Sequence, residues 1–189
     1  IPTELREKIA LFCDVDNDAV ITAPDVSSVY EVPLRFAESG VDEIVLRLLN
    51  LKAPERNLAE WERMVERLKN PSGSVSIALV GKYVDYEDSY KSLKEALLHG
   101  GLAHDVKVEI HWIDAVELTN QEICATRLAG YDGILVPGGF GKRGVEGMIE
   151  AIRYARENEI PYFGICLGMQ TLVIEYARNV CGLSSADST

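Results

Sequence analysis

After residue 74 the sequence alternates short apolar runs, typical of buried strands, with longer helical patterns. The apolar runs cover residues 75–80, 106–113, 133–136 and 161–165, and the helical patterns cover 86–98, 116–128, 144–157 and 167–180. Strands that alternate with helices favour parallel pairing, because each crossover helix returns the chain to the same end of the sheet. The pattern therefore predicts an α/β domain with a doubly wound, mostly parallel sheet that helices cover on both faces.

A Pro/Gly/Ser cluster, Asn70-Pro71-Ser72-Gly73-Ser74, separates this domain from an N-terminal segment. Before it, residues 9–15 and 20–23 resemble strands, and Ser27 or Ser28 is a candidate cap for a helix to residue 38 with a kink at Pro33. Further helices are predicted over 42–49 and from an Asn57 cap. We therefore divide the chain into the α/β tail of another domain (1–56), a helix and linker (57–74) and the second domain (75–189).

Composition excludes several classes of function. Acidic residues outnumber basic ones by 30 to 19, and the formal net charge of -11 repels nucleic acids. No stretch approaches the roughly 20 apolar residues of a membrane span, and no leader pattern opens the sequence, so we expect a cytoplasmic protein. The four cysteines, Cys13, Cys124, Cys166 and Cys181, form no CxxC pair, which argues against a zinc site and a disulfide framework.

The sharpest motif is Gly164-Ile165-Cys166-Leu167-Gly168, which follows the fourth apolar run and opens a helical pattern. This spacing is typical of a nucleophile elbow, a tight strand-to-helix turn in which flanking glycines avoid Cβ clashes. Because a helix N-terminus favours the thiolate, we predict that Cys166 is a nucleophile. The alternative is a core cysteine at the end of a buried strand.

A thiol that attacks an amide or ester needs N–H donors for the developing oxyanion. One candidate donor is the backbone N–H of Leu167. A second is expected from the glycine loop Pro137-Gly138-Gly139-Phe140-Gly141, because it follows the third strand and ligands bind at the carboxyl edge of open α/β sheets. The alternative for this loop is a flexible surface turn.

The same loop permits a dinucleotide-binding interpretation, since Gly139-Phe140-Gly141-Lys142-Arg143-Gly144 matches G-x-G-x-x-G. It follows the third strand rather than the first, and Pro137 interrupts the strand-to-turn geometry, so we rank this interpretation second. A Walker A motif is excluded, because Tyr83 follows Gly81-Lys82 where Ser or Thr is required.

A catalytic base for Cys166 is not evident in the sequence. The three histidines, His99, His104 and His111, all precede the elbow, and we interpret them as packing or solvated residues. We therefore expect that the base either comes from elsewhere or has been cut away with the C-terminal part of a longer polypeptide, and the ending just after a helical pattern favours the second explanation.

Several segments carry a resemblance to a known family. The segments at 135–141, Arg143-Gly144 with Glu146-Gly147, and Gly164–Gln170 resemble the class I glutamine amidotransferase domain of the CTP synthase family. Segments 8–13, 25–30 with Pro33, 80–83, 89–92 and 177–180 are also similar to that family. The N-terminal segment is specific to CTP synthases, whereas many amidotransferases share the glutaminase motif.

The resemblance implies a class I glutaminase-like domain, incomplete here, that follows the tail of a synthetase (amidoligase) domain. The implied enzyme is a ligase of pyrimidine biosynthesis that uses ATP with Mg²⁺ to activate UTP and aminates it to CTP with ammonia from glutamine. The family implies no covalently bound cofactor, a homotetramer and activation by GTP.

The resemblance also assigns roles to individual residues. Cys166 is the implied nucleophile. The implied glutamine-binding residues are Gly139, Leu167, Gly168, Met169 and Gln170. The implied nucleotide contacts are Lys8 and Phe12 for UTP or CTP, Pro24, Asp25 and Val26 for ATP, and Arg143 for GTP.

The family's metal ligands and phosphate loop would precede Ile1, and the His and Glu that complete the cysteine triad would follow Thr189. We therefore expect this chain alone to be inactive. Two alternatives stay open: another class I amidotransferase or cysteine hydrolase with the same elbow, and a non-catalytic flavodoxin-like module that binds a nucleotide.

Overall fold

The computed structural model describes residues 1–84 and 87–188, which form two compact units, Ile1–Asn70 and a second that begins at Pro71. The boundary between the units falls in the Pro/Gly/Ser cluster. The predicted helix start at Tyr86 and the predicted domain end at Thr189 lie outside the described residues. No helix in these described parts has the length and apolar character of a membrane span.

The regular elements of the first unit are helical over the residues described. They are α1 (Thr3–Cys13), α2 (Val32–Glu38), α3 (Val41–Leu48) and α4 (Ala59–Lys69). The strands predicted over 9–15 and 20–23 are wrong: most of the first range belongs to α1, and the second has no strand pairing. A short apolar run has no periodicity that separates a strand from a helical turn, which accounts for the error.

In the first unit the predicted capping residues do accept backbone N–H groups, although the helices do not begin where they were predicted to begin. The Ser28 hydroxyl accepts the Tyr30 N–H at 3.3 Å and caps a short 3₁₀ turn, and Asn57 Oδ1 accepts the Ala59 N–H at 3.1 Å. Pro33 lies in the first turn of α2 rather than inside a helix. Proline is tolerated there because its missing N–H would have no intrahelical acceptor, so the predicted kink is wrong.

The second unit contains a four-stranded, all-parallel sheet. Its strands are β1 (Gly73–Gly81), β2 (Val106–Asp114), β3 (Gly133–Val136) and β4 (Tyr162–Gly164), in the order β2-β1-β3-β4. Its helices are α5 (Lys91–His104), α6 (Gln121–Leu128), α7 (Val145–Glu157) and α8 (Leu167–Asn179). The predicted doubly wound α/β domain is confirmed.

Residues of β1 alternate between the two faces of the sheet, as the two-residue period of a strand requires. Ala78 and Val80 pack into the larger core, which α6 and α7 complete with side chains such as Leu128 and Ile152. Leu79 packs on the opposite face, against Tyr90 and, from α5, Leu93 and Leu97. Both faces of the central strands are therefore covered.

The strand order places a topological switch between β1 and β3. The chain leaves β1 towards β2 on one side, and β3 lies on the other side of β1. In open parallel sheets such a switch opens a crevice at the carboxyl ends of the strands, where ligands bind. Lys82 follows β1 and Pro137 follows β3, so both lie at this edge.

Candidate functional site

Cys166 lies between β4 and α8 in a backbone conformation that is rare for a residue with a side chain. Its φ is 51° and its ψ is -102°, and its thiol is exposed. Such dihedral angles cost of order 1–3 kcal/mol and cluster at active sites. The exposed thiol at the N-terminus of α8 excludes the alternative of a core cysteine, and the geometry is that of a nucleophile elbow.

The glycines on either side of Cys166 allow the elbow to pack tightly. A Cβ atom on Gly164 would lie 2.5 Å from the carbonyl carbon of Gly168, and a Cβ on Gly168 would lie 2.1 Å from the carbonyl oxygen of Val136 in β3. The Tyr162 hydroxyl also donates to the Gly168 carbonyl at 2.8 Å, and burial raises the pKa of Tyr162. These contacts hold the first turn of α8 against the sheet.

The glycine loop after β3 lies beside the elbow, as the sheet-edge argument predicts. A Cβ atom on Gly138 would lie 3.6 Å from the Cβ of Cys166, and a Cβ on Gly139 would lie 3.2 Å from Cδ2 of Leu167. The backbone of this loop therefore approaches both the thiol and the first helical residue. N–H groups in the first turn of a helix have no intrahelical acceptor, so the Leu167 N–H is a suitable oxyanion donor.

Lys82 is a buried cation at the same sheet edge that sequence reasoning missed. Only 3% of the surface of Lys82 is exposed to solvent. Its Nζ donates to the carbonyl oxygen of Phe140 at 3.2 Å and also to the carbonyl oxygen of Gly141. Burial and the neighbouring Arg143 guanidinium hold the pKa of Lys82 below its ordinary value. Its carbonyl oxygen accepts a hydrogen bond from Nη2 of Arg143.

A cavity of about 590 Å³ opens between the glycine loop and α8. Its size is that of a small-molecule site. Its lining includes Gly139, Phe140, Leu167, Gln170, Thr171 and Ile174. Of the predicted glutamine-binding residues, Gly139, Leu167 and Gln170 line it, whereas Gly168 is buried against β3 and Met169 is exposed outside the lining.

The histidines lie away from the elbow. His111 is on β2, the edge strand opposite β4, and its ring lies 5.0 Å from that of Tyr131. Three strand spacings of about 4.8 Å separate β2 from β4. His104 ends α5 at the amino edge of the sheet, and His99 is exposed on that helix. None of them is placed to act as a base for Cys166.

The predicted nucleotide contacts in the first unit are exposed on its surface, except for the half-buried Val26. Lys8 and Phe12 are exposed one helical turn apart on α1. Pro24 and Asp25 line a depression of about 280 Å³ that Val26 does not line.

Arg143 belongs to the second unit and lies two residues after the glycine loop. Its guanidinium binds the Lys82 carbonyl and lies 4.0 Å from an Asp114 carboxylate oxygen. The side chain that we predict for GTP contact is therefore engaged with the end of β1 and β2.

The dinucleotide interpretation of the glycine loop does not fit the backbone. The fingerprint requires a helix that opens within the glycine motif. Here α7 begins at Val145, after the last glycine, and Gly141 and Gly144 have φ of 74° and 72°. Residues 137–140 have no regular structure and residues 141–144 form a bend and a turn, so the helix opens after the glycine motif rather than within it.

No cluster of three or more metal-ligating side chains occurs among the residues that the structure describes. Cys124, in α6, is fully buried, and burial with the nearby Glu150 raises the pKa of its thiol to about 11. Cys124 is therefore unreactive, in contrast to the exposed Cys166.

Two family matches fall on either side of the boundary between the two units. Residues 86–188 match the family described as glutamine amidotransferase class-I, and residues 1–51 match the CTP synthase N-terminus. The first match contains the elbow, the glycine loop and the cavity.

Relatives that match over all or nearly all of the chain are named CTP synthase. They include proteins from Acidobacterium capsulatum (61% identical over all of this chain), Koribacter versatilis (58% over 98%) and Desulfitobacterium hafniense (54% over all). The chain spans 34%, 34% and 35% of their respective lengths.

A solved structure, the glutaminase domain of Trypanosoma brucei CTPS with bound acivicin, is 48% identical. Its TM-score is 0.56, and the match covers 60% of this chain and 44% of that one.

Proposed function

Because the chain belongs to the class I glutamine amidotransferase family, we propose that Cys166 hydrolyses glutamine within a CTP synthase of which this sequence is a segment. The observation that carries the proposal is the strained elbow at Cys166, with the glycine loop folded against it. The whole enzyme would transfer the released ammonia to ATP-activated UTP.

The chemistry at the elbow is an acyl transfer. The Cys166 thiolate attacks the side-chain amide carbon of glutamine, a C–S bond forms, and the π electrons of the carbonyl move to oxygen. The resulting oxyanion accepts hydrogen bonds from the N–H groups of Leu167 and Gly139. Collapse of this intermediate breaks the C–N bond, and the general base that took the thiol proton returns it to the nitrogen, so that ammonia leaves. Water, deprotonated by the same base, then cleaves the thioester to glutamate and the free thiol.

The cavity beside the elbow is the proposed glutamine site. Gln170 and the glycine loop provide polar groups, while Leu167 and Ile174 contact the methylene groups of the substrate. The acivicin-bound Trypanosoma brucei domain supports a site for a glutamine-like ligand in this fold.

The general base for Cys166 is proposed to come from a part of the protein outside this sequence, because the described histidines lie away from the elbow. We propose that the isolated chain is inactive for the same reason. This proposal fails if the chain alone releases glutamate from glutamine and Cys166→Ala abolishes that release.

The nucleotide sites and the assembly are proposed from the similarity to CTP synthases. We assign residues 1–56 to the end of the synthetase domain, 57–74 to the linker and 75–189 to the glutaminase. The synthetase part would supply contacts to UTP or CTP and to ATP with Mg²⁺. GTP binding near Arg143, a homotetramer and a cytoplasmic location complete the proposal.

The test compares two nitrogen sources in the full protein that contains this segment. Cys166→Ala is expected to lower glutamine-dependent CTP formation at least about a thousandfold, as expected when a nucleophile is removed. Formation of CTP from ammonium chloride is expected to continue, because that route bypasses the thiol.

The matched control is Cys181→Ala, which removes another exposed thiol of the same unit beyond α8. It is expected to leave both reactions unchanged. Glutamine-dependent activity that survives Cys166→Ala refutes the proposal. Glutaminase activity without CTP formation from either nitrogen source would favour a different class I amidotransferase.

A further inference from the structure

Hydrogen bonds from two side chains, Lys82 and Arg143, join the glycine loop beside Cys166 to the end of β1. The Lys82 ammonium donates to the carbonyl oxygens of Phe140 and Gly141, and the Arg143 guanidinium donates to the Lys82 carbonyl. Both sets of hydrogen bonds join segments that are about 60 residues apart in sequence.

Lys82 is an unusual residue to bury at this position. In the part of the chain that the structure describes, no salt bridge includes Lys82, so its charge is stabilised by backbone carbonyl dipoles. Desolvation of an ammonium is costly, and an apolar side chain would fill the same space without that cost. The arrangement therefore favours a function for the two carbonyl contacts.

The methylene groups of Lys82 also lie close to the proposed oxyanion site. A Cβ atom on Gly139 would lie 3.5 Å from Cδ of Lys82 and 3.2 Å from Cδ2 of Leu167. Gly139 is thus held between the lysine stem and the first residue of α8. Little free space therefore remains on this side of Gly139.

We infer that Lys82 is a positioning residue for glutamine hydrolysis, which fixes the glycine loop so that the Gly139 and Leu167 N–H groups converge on the developing oxyanion. The inference rests on the proposed function of Cys166. Lys82 does not touch the reacting atoms; it acts through the Phe140 and Gly141 carbonyls. Its loss displaces a donor and leaves the thiol in place.

Lys82→Met in the full protein tests the inference, because methionine keeps an unbranched stem and removes the ammonium. Removing one oxyanion donor lowers kcat by about 10²–10³, so displacing one is expected to lower kcat for glutamine hydrolysis by about ten- to a hundredfold. The fall in kcat is expected to exceed any rise in KM for glutamine, although the glycine loop also lines the proposed glutamine site. CTP formation from ammonium chloride is expected to stay unchanged. Lys94→Met, at an exposed lysine of α5, is the control.

A second readout separates positioning from general damage to the elbow. Alkylation of Cys166 by iodoacetamide forms no oxyanion, so its rate is expected to be unchanged in Lys82→Met. Reaction of Cys166 with a glutamine-like chloroketone, whose carbonyl oxygen accepts hydrogen bonds from the two N–H donors, is expected to slow in Lys82→Met by about the same factor as kcat. Equal slowing of both reactions, or an unchanged kcat, overturns the inference.

Cys166→Ala is measured in parallel so that the two proposals fail separately. If Cys166→Ala keeps glutaminase activity, the proposed function fails. If Cys166→Ala is inactive and Lys82→Met has the wild-type kcat, only the positioning role is refuted.

Discussion

Replacing Cys166 by glycine is expected to give a more stable chain than replacing it by alanine. At φ 51° and ψ -102° the residue lies outside the allowed regions for side chains, at a cost of about 1–3 kcal/mol that alanine retains. Glycine relieves that strain but loses about 0.5–1 kcal/mol more through backbone entropy. The net free energy of unfolding is therefore expected to favour glycine by roughly 0.5–2 kcal/mol.

Urea unfolding with linear extrapolation measures this difference. Fluorescence of Trp112 in β2 reports on the second unit, in a Trp61→Phe background that silences the other tryptophan of the chain. Cys124→Ala and Cys124→Gly, in α6, are the matched control pair. At this position alanine is expected to give the more stable chain, because its helix propensity exceeds that of glycine by about 1 kcal/mol. If alanine equals or exceeds glycine at position 166 while the Cys124 pair behaves as expected, the elbow is not strained.

Further predictions follow from burial and close packing in the second unit. Gly101→Ala is expected to lower the free energy of unfolding by about 1–3 kcal/mol, because the added Cβ would lie 2.6 Å from a backbone carbonyl oxygen. Gly100→Ala is expected to raise the free energy of unfolding by about 0.5–1 kcal/mol, because its Cβ meets no atom within 4 Å. Urea unfolding of both variants checks these opposite signs. Glu175→Gln, which removes the charge of a fully buried carboxylate paired with Arg156 at 2.7 Å, is expected to cost about 1–3 kcal/mol in the same assay. The pKa of Lys82 is lower in the folded chain than its ordinary value of 10.5, so the unfolded chain binds the ammonium proton more tightly. The free energy of unfolding is therefore expected to rise with pH between the folded pKa of Lys82 and 10.5. Lys82→Met is expected to lack this rise when its stability is measured against pH beside wild type.

The sequence-based expectations succeeded where short-range patterns determine the structure. The β3 bounds and the elbow follow from local apolar runs and from Gly164 and Gly168, whose spacing has a direct steric reason. The error over residues 9–15 arose because Ile9 to Cys13 is an apolar run without a resolvable period, and Leu11 and Phe12 are in fact exposed on α1.

The part of the site that sequence reasoning missed depends on distant backbone groups. Lys82 binds carbonyl oxygens of a loop 58 and 59 residues away, and any residue type offers a carbonyl. The tripeptide Gly81-Lys82-Tyr83 therefore carries no pattern that reveals the contact. Only the order of the strands, which brings the ends of β1 and β3 together, makes it visible.

That strand order also determines when the site assembles during folding. The elbow needs β3 and β4 to be paired, and the Lys82 contact needs β1 beside β3, so the contacts that bring the elbow, the glycine loop and Lys82 together are non-local. Contacts between distant segments form slowly, because the loop-closure entropy is lost before they stabilise the chain. The thiol of a nascent chain therefore acquires its reactive geometry only when the whole sheet has been built, and partly folded chains present an ordinary cysteine at that position.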